Sequence, residues 1–167
     1  MATVPVLLTE AEYLRTSYHP DCDYVDGLVL ERNLGQHDHA RLQAMILFLL
    51  MQQEKHWGMY VLPEQRLKIR PGKYRIPDVM VLSAGAPRTA VIEQPPLLCI
   101  EVVSPDDRMN DLIERARDYH ALGVAETWIL DPSGKQAYVY SADGLHEVNQ
   151  LRFGQIALDL EELFGGL

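Results

Sequence analysis

The sequence predicts an α/β fold in which helices flank a mixed central sheet. Two observations support this class: a run of short apolar strand-like segments in the middle of the chain, and amphipathic helices before and after that run, the second followed by two more strands. The 167 residues are 47% hydrophobic and 23% charged, which is typical of a globular domain. We expect a single domain over residues 1–167.

The first elements are a helix, a hairpin and a long helix. Thr9 and Glu12 have the spacing of a capping box, and the helix that they begin should end before Pro20. Alternating residues around Asp26-Gly27 predict a β-hairpin that turns on this pair. The segment Asp38–Lys55 is apolar nearly all round in its middle, which predicts a deeply packed helix.

Four strands, a helix and a final hairpin follow. The strands are expected at Met59–Leu62, Gln65–Arg70, Arg75–Leu82 and Leu97–Val103. The amphipathic helix Asp107–Leu122 should end at Gly123, because glycine is favoured just after a helix C-terminus. The Ser133-Gly134 turn then joins strands at Thr127–Leu130 and Gln136–Tyr140.

Charge and cysteine content exclude several classes of protein. The 24 acidic residues outnumber the 15 Lys and Arg and give a net charge of −9. Because non-specific binding to nucleic acid or to an anionic membrane requires a basic surface, we do not expect the protein to coat either of them. Cys22 and Cys99 have no CxxC partner, so we exclude a structural zinc site and expect no disulfide framework. The longest apolar run, residues 44–51, is far shorter than the ~20 residues of a membrane span, and no signal peptide is recognisable. We expect a cytoplasmic protein that does not bind membranes.

Two acidic residues lie in apolar strand segments. Asp78 precedes the apolar residues 79–82, and Glu101 follows Ile100. An ionised side chain on a core strand is costly unless it is paired or binds a cation, and two on neighbouring strands also repel each other. Mg²⁺ would relieve this repulsion, since it binds carboxylate oxygens. Alternatively, each carboxylate ends its strand in water or pairs with a nearby arginine.

The helix after Glu101 carries Arg115 beside its apolar stripe. At ~100° per residue, Arg115 lies about 60° from Leu112 on the helix surface. Its side chain can extend across the sheet edge toward the two carboxylates, or it can form a surface ion pair with Asp111 four residues earlier. The sequence leaves both interpretations open.

Several motifs, taken in order, resemble one nuclease family. They are Asp26-Gly27, His39, Tyr74-Arg75-Ile76-Pro77-Asp78, Ile100-Glu101-Val102-Val103-Ser104-Pro105, Tyr119, Gly123-Val124 and Trp128-Ile129-Leu130-Asp131-Pro132. Their order and spacing over most of the chain are similar to the Uma-type endonuclease-like family of the PD-(D/E)XK nuclease superfamily. The resemblance implies a restriction-endonuclease-like core, with the mixed central sheet flanked by helices and an N-terminal helix and hairpin.

The resemblance also implies a metal site and its residues. Asp78 and Glu101 match the two metal-binding carboxylates, which would hold Mg²⁺ or Mn²⁺. Arg115 stands where the family carries a lysine; an arginine stays protonated but can stabilise charge on a phosphoryl group. His39 and Glu31 match regions where the superfamily places further active-site residues, although a helix-start histidine and a solvated hairpin-end carboxylate are equally ordinary there.

Five basic residues precede Asp78 between residues 63 and 75: Arg66, Lys68, Arg70, Lys73 and Arg75. The first three alternate with apolar residues, so a strand there has one cationic and one apolar face. Such a face is either a phosphate-binding track for nucleic acid beside the metal site or a solvated outer surface.

The leading functional hypothesis is a Mg²⁺-dependent endonuclease that hydrolyses phosphodiester bonds in nucleic acid, with DNA as the expected substrate. The resemblance suggests a homodimer, and we expect no organic cofactor. The alternative is a catalytically inactive nuclease fold that serves as a binding or regulatory module. A third hypothesis is an accessory protein that shares only the fold, which alone does not imply activity.

Overall fold

The computed structural model describes residues 7–33 and 35–167. In this part of the chain the helices are α1 (Glu10–Arg15), α2 (His37–Trp57), α3 (Met109–Leu122) and α4 (Leu160–Gly165). The strands are β1 (Asp23–Val25), β2 (Leu28–Leu30), β3 (Met59–Pro63), β4 (Leu67–Arg70), β5 (Lys73–Arg75), β6 (Val79–Ser83), β7 (Leu98–Val102), β8 (Glu126–Asp131), β9 (Gln136–Ser141), β10 (Gly144–Val148), β11 (Leu151–Phe153) and β12 (Ile156–Leu158).

The central sheet is mixed, as the sequence predicts. Its strand order is β10-β9-β8-β7-β6-β3. β7 and β8 are parallel and α3 connects them, whereas the other neighbours in this sheet are antiparallel. A helical crossover between two parallel strands beside antiparallel ones gives the predicted α/β class.

Alternate residues of the central strands pack against different helical layers. Val79 and Val81 of β6 belong to the core cluster that contains the buried face of α2. Met80 and Cys99 belong to a second cluster with Tyr119 of α3. Because both faces are covered, β6 and β7 are apolar almost throughout, and a charged side chain in them is buried.

A second sheet, in the order β2-β1-β5-β4, contains the predicted hairpin β1–β2. The prediction of one continuous strand over Arg75–Leu82 is wrong, because β5 pairs with β1 and β4 while β6 pairs in the central sheet. Pro77 lies between them and has no N–H to donate to a ladder. Asp78 therefore stands where the chain passes from one sheet to the other.

Local signals read from the sequence fix several element ends. Thr9 and Glu12 form the predicted capping box at α1, and Gly123 ends α3 with φ of 114°. α2 begins one residue before the predicted start and continues to Trp57, ending at Gly58 with φ of 62°. β10–β12 and α4 were not predicted. In the described part of the chain, each helix is too short or too polar to cross a membrane.

Candidate active site

Asp78 and Glu101 meet at the junction of the two sheets. β6 and β7 are antiparallel with Val79 opposite Ile100, so the next register position places Asp78 opposite Glu101. The two residues are 3% and 2% exposed. Both line one cleft of about 250 Å³. The juxtaposition expected from the sequence is present.

Hydrogen-bond donors of the chain surround the Asp78 carboxylate. The Arg32 guanidinium donates to Oδ1 at 2.5 Å, and the Val102 backbone N–H donates to Oδ2 at 2.8 Å. His39 Nε2 lies 3.3 Å from Oδ2. Burial opposes ionisation, but the His39 hydrogen bond and the Arg32 charge outweigh it and hold the pKa of Asp78 below its usual value. Asp78 is therefore a buried carboxylate that stays ionised.

His39 lies in the first turn of α2 with its side chain buried. Burial alone would lower its pKa, but the hydrogen bond and charge of Asp78 more than compensate, so the pKa of His39 is raised. The same helix holds the Asp78 backbone, because the Gln43 side chain donates to the Asp78 carbonyl at 2.9 Å. The structure thus brings His39 to the site, as expected.

Glu101 differs from Asp78 in its electrostatics. Its Oε1 accepts from Arg115 Nε at 3.1 Å and from the Tyr119 hydroxyl. Burial is the largest influence, and together with the Asp78 charge it raises the pKa of Glu101 to about 7 despite the opposing charge of Arg115. Burial also raises the pKa of Tyr119, which stays a protonated donor. The two carboxyl groups therefore titrate in different pH ranges.

The position of Arg115 decides between the two interpretations of its sequence context. Its side chain extends to the sheet, where it donates to Glu101, to Asp23 Oδ2 at 2.5 Å and to the Ile76 carbonyl at 2.7 Å. Among the described ion pairs, none joins Arg115 to Asp111. The surface-pair interpretation is wrong.

Two site residues were missed by sequence reasoning, Arg32 and Asp23. Asp23 bridges Arg115 and Arg75, whose Nη1 lies 3.0 Å from Asp23 Oδ2. Arg75 also pairs with Asp118 at 2.8 Å, and so extends the ion-pair network to α3. Asp23 lies in a short hairpin strand, and nothing in the sequence of that strand indicates that Asp23 is buried. Its burial becomes evident only from the pairing of β1 with β5.

The five basic residues predicted to bind nucleic acid each have an acidic partner. These pairs are Arg66–Asp21, Lys68 with Glu10 and Glu93, Arg70–Asp26, Lys73–Asp118, and Arg75 with Asp23, Glu114 and Asp118. Arg75 is buried and faces the cleft, whereas Arg70 is exposed. Acidic residues distant in sequence thus neutralise these five basic residues, which we call the basic stripe. The role of the basic stripe as a phosphate-binding track stays a prediction.

Glu31 lines the cleft at its exposed rim. Its side chain has no hydrogen bond within the part of the chain that the structure describes. Asp107 lines the same cleft, where it accepts from the Asn33 side chain at 2.7 Å and the Ser104 backbone N–H at 2.7 Å. The structure brings Glu31 near the two buried carboxylates without a direct link to them.

Several carboxylates line the cleft, among them Asp78 and Glu101. Within residues 7–33 and 35–167, no group of three or more His, Cys, Asp or Glu side chains is arranged to hold a metal ion. Mg²⁺ is usually bound through one or two carboxylates and several waters, which two buried carboxylates on neighbouring strands can satisfy. In chemistry, the carboxylate oxygens of Asp78 and Glu101 thus suit Mg²⁺ or Mn²⁺.

Comparison with known proteins identifies the family and the fold of the chain. The model of one protein family, described as "Uma2: Putative restriction endonuclease", matches residues 11–167. A crystal structure of a "putative nuclease belonging to DUF820" from Anabaena variabilis is 18% identical and superimposes with a TM-score of 0.85, over 95% of this chain and 98% of that chain. The shared fold confirms the predicted nuclease-like architecture.

A second solved structure is more distant. It is described as "cryoEM structure DrdV-DNA complex", is 15% identical and has a TM-score of 0.44, over 72% of this chain and 10% of that chain. No curated protein matches the chain.

Proposed function

Because the chain belongs to the family described as "Putative restriction endonuclease", we propose that it is an endonuclease that hydrolyses phosphodiester bonds in DNA with Mg²⁺ or Mn²⁺ as cofactor. The observation that carries the proposal is the pair of buried carboxylates, Asp78 and Glu101, held opposite each other at one cleft. Burying two carboxylates side by side costs stability even when each has an arginine partner, and such costly arrangements are typical of functional sites.

In this proposal Asp78 and Glu101 hold the divalent cation. Asp78 is suited to this role because its pKa is held below its usual value. A bound Mg²⁺ supplies Lewis-acid polarisation of the phosphate and lowers the pKa of a coordinated water. The Tyr119 hydroxyl and Arg115 both bind Oε1 of Glu101, which fixes the orientation of that carboxylate.

Arg115 and His39 have different chemical abilities at this site. Arg115 keeps its charge at every accessible pH, so it stabilises negative charge on a phosphoryl group and cannot act as a base. His39 has a raised pKa beside Asp78, so it can hold a proton near neutral pH. Glu31, at the rim of the cleft, is proposed to place water or metal.

The proposal includes the assembly and location of the protein. Phe48 and Met51 are 62% and 54% exposed on α2, and such apolar area supports a homodimer acting through single-domain subunits. Cys22 and Cys99 are free thiols, which supports a reducing location such as the cytoplasm.

Cleavage of supercoiled plasmid, linear duplex and single-stranded DNA tests the activity. The native protein should nick or cut DNA with Mg²⁺ or Mn²⁺ and not with EDTA, and Asp78→Asn and Glu101→Gln should each abolish cutting. Asp26→Asn is the matched control, because Asp26 is an exposed carboxylate outside the cleft, paired with Arg70 at 2.7 Å. Equal cutting by Asp78→Asn and the control would contradict the proposed site.

A second function is favoured by the contacts of Asp78. Both of its oxygens already accept hydrogen bonds from the chain, and Arg115 replaces the lysine that the family resemblance places there. The second candidate is therefore an inactive nuclease fold that binds DNA as a regulatory module. Retained duplex binding by a native protein that cuts none of the three substrates would support it.

A further inference from the structure

The two arginines of the cleft are held in different ways. Arg115 donates to acceptors on three separate segments, Asp23, Ile76 and Glu101. Arg32 makes one short contact, from Nη2 to Asp78 Oδ1 at 2.5 Å, and its Nη1 lies 3.9 Å from the half-exposed carboxylate of Glu64. Arg115 is thus locked by several partners, whereas release of Arg32 requires one ion pair to break.

Arg32 also lies in a connection rather than in a helix or strand. It follows β2 and precedes α2, and the next residue, Asn33, binds Asp107 at 2.7 Å. Its side chain is 11% exposed and lines the cleft, and because Nη1 lies 3.9 Å from the Glu64 carboxylate, a rotamer change toward Glu64 would keep an acidic partner for the guanidinium.

We infer that Arg32 is the internal counter-ion of Asp78 and that a divalent cation binds at Asp78 by displacing it. This inference rests on the metal site of the proposed function. A carboxylate buried at a junction of two sheets needs a positive partner at all times, because an isolated buried charge is unfavourable. Arg32 supplies that charge in the absence of metal, and the same contact lowers the affinity for metal because both cations require Oδ1.

The inference predicts that removal of the Arg32–Asp78 ion pair strengthens the binding of a divalent cation. Mn²⁺ binding, measured by the electron paramagnetic resonance signal of free Mn²⁺ at pH about 8, where carboxyl groups are ionised, is compared in native protein and Arg32→Gln. The Mn²⁺ dissociation constant should fall on the order of ten-fold, because the charge-assisted hydrogen bond between Arg32 and Asp78 no longer has to break. An unchanged or larger dissociation constant in Arg32→Gln would overturn the inference.

Two controls assign the effect to Asp78. Arg117→Gln removes an exposed arginine of α3 that does not line the cleft, and it should leave the dissociation constant as in native protein. In an Asp78→Asn background, Arg32→Gln should no longer tighten binding, because the shared oxygen ligand has lost its charge. Persistent tightening in that background would place the cation elsewhere and overturn the inference.

A measurement on the native protein covers the case in which Arg32→Gln does not fold. Addition of Mg²⁺ should move the Nε–H nuclear magnetic resonance signal of Arg32 toward that of a solvent-exposed arginine and leave the Arg115 signal ordered. Unchanged Arg32 signals at saturating Mg²⁺ would overturn the inference while leaving DNA cleavage intact. Tightened Mn²⁺ binding in a protein that cuts no DNA would support the inference and contradict the proposed activity.

Discussion

Replacing Glu101 by glutamine should change how the free energy of unfolding depends on pH. At low pH, where Glu101 is protonated, the substitution should change that free energy little. Glutamine is nearly isosteric with the protonated acid, and its carbonyl oxygen can still accept from Arg115 and Tyr119. What it cannot do is ionise. The comparison therefore isolates the cost of charging one buried carboxyl group on β7.

The sign and size follow from the shifted pKa. The pKa of Glu101 is about 7 in the folded protein against an ordinary value of 4.5, because the side chain is buried and Asp78 is nearby. Between these values the folded state holds a proton that the unfolded state has released, so the free energy of unfolding falls as pH rises from 4.5 to 7. At 1.36 kcal/mol per pKa unit, the interval corresponds to about 3 kcal/mol.

Asp78 and His39, which lie beside Glu101 in the cleft, also contribute to the pH dependence of stability. The lowered pKa of Asp78 contributes stability above its unfolded value of 3.8 that is lost as pH falls through its folded pKa. The raised pKa of His39 contributes stability below 6.5 that is lost as pH rises through its folded value. The difference between native protein and Glu101→Gln cancels both contributions to a first approximation.

Urea unfolding followed by tryptophan fluorescence gives the required free energies, since Trp128 is fully buried in the core. The measurements are made in EDTA across the interval of 4.5 to 7, and the native protein should lose about 3 kcal/mol relative to Glu101→Gln. Glu93→Gln is the control, because Glu93 is exposed and 3.8 Å from Lys68. A native-to-variant difference that does not depend on pH would refute the reasoning.

Three further outcomes are expected. Mg²⁺ at about 100 times its dissociation constant should raise the free energy of unfolding by ~2.7 kcal/mol, and urea titration of Asp78→Asn should show no such gain. Arg115→Ala should cost about 3–5 kcal/mol in the same assay, because it leaves the buried Glu101 without its guanidinium partner and Asp23 with Arg75 alone. Arg115→Lys should cost less and keep or raise cleavage, whereas a cost under ~0.5 kcal/mol for the alanine variant would indicate a surface residue. Sedimentation at micromolar concentration should show a dimer, and a species of 19.0 kDa would contradict it.

Sequence reasoning succeeded where short-range chemistry decides the structure. The capping box at α1, the hairpin on Asp26-Gly27 and the glycine that ends α3 each depend on residues within four positions of one another. The pairing of Asp78 with Glu101 was also accessible, because an acidic residue beside each of two neighbouring apolar strands points to one shared site.

The partners of the site were not accessible in the same way. Arg32 and Asp78 are 46 residues apart, and Asp23 and Arg115 are 92 apart. No periodicity within a helix or strand links them, since they meet only after the small sheet has packed against the central one. The expectation of one continuous strand across Pro77 placed β5 and β6 in the same sheet. The second sheet and the role of Asp23 were therefore not predicted.

The basic stripe shows the same limit in another form. Alternation predicts cations on one face of a strand, but it carries no information on what covers that face, and the register of β4 shifts between Lys68 and Arg70. Asp21 and Asp26 come from around the first hairpin, and Asp118 comes from α3. A charge count along the sequence therefore overstates the positive potential that this strand offers to a phosphate backbone.

The ion-pair network determines how single substitutions at this site should be interpreted. Asp23 accepts from Arg115 and Arg75, and Arg115 in turn binds Glu101. Asp23→Asn would therefore weaken cleavage by loosening Arg115, even though Asp23 is not assigned to the metal, and residues in one network have non-additive effects. A double-mutant cycle of Asp23→Asn and Arg115→Lys separates the roles. If Asp23 acts through Arg115, the two losses of cleavage should overlap, whereas independent losses would make Asp23 a separate contributor to the reaction.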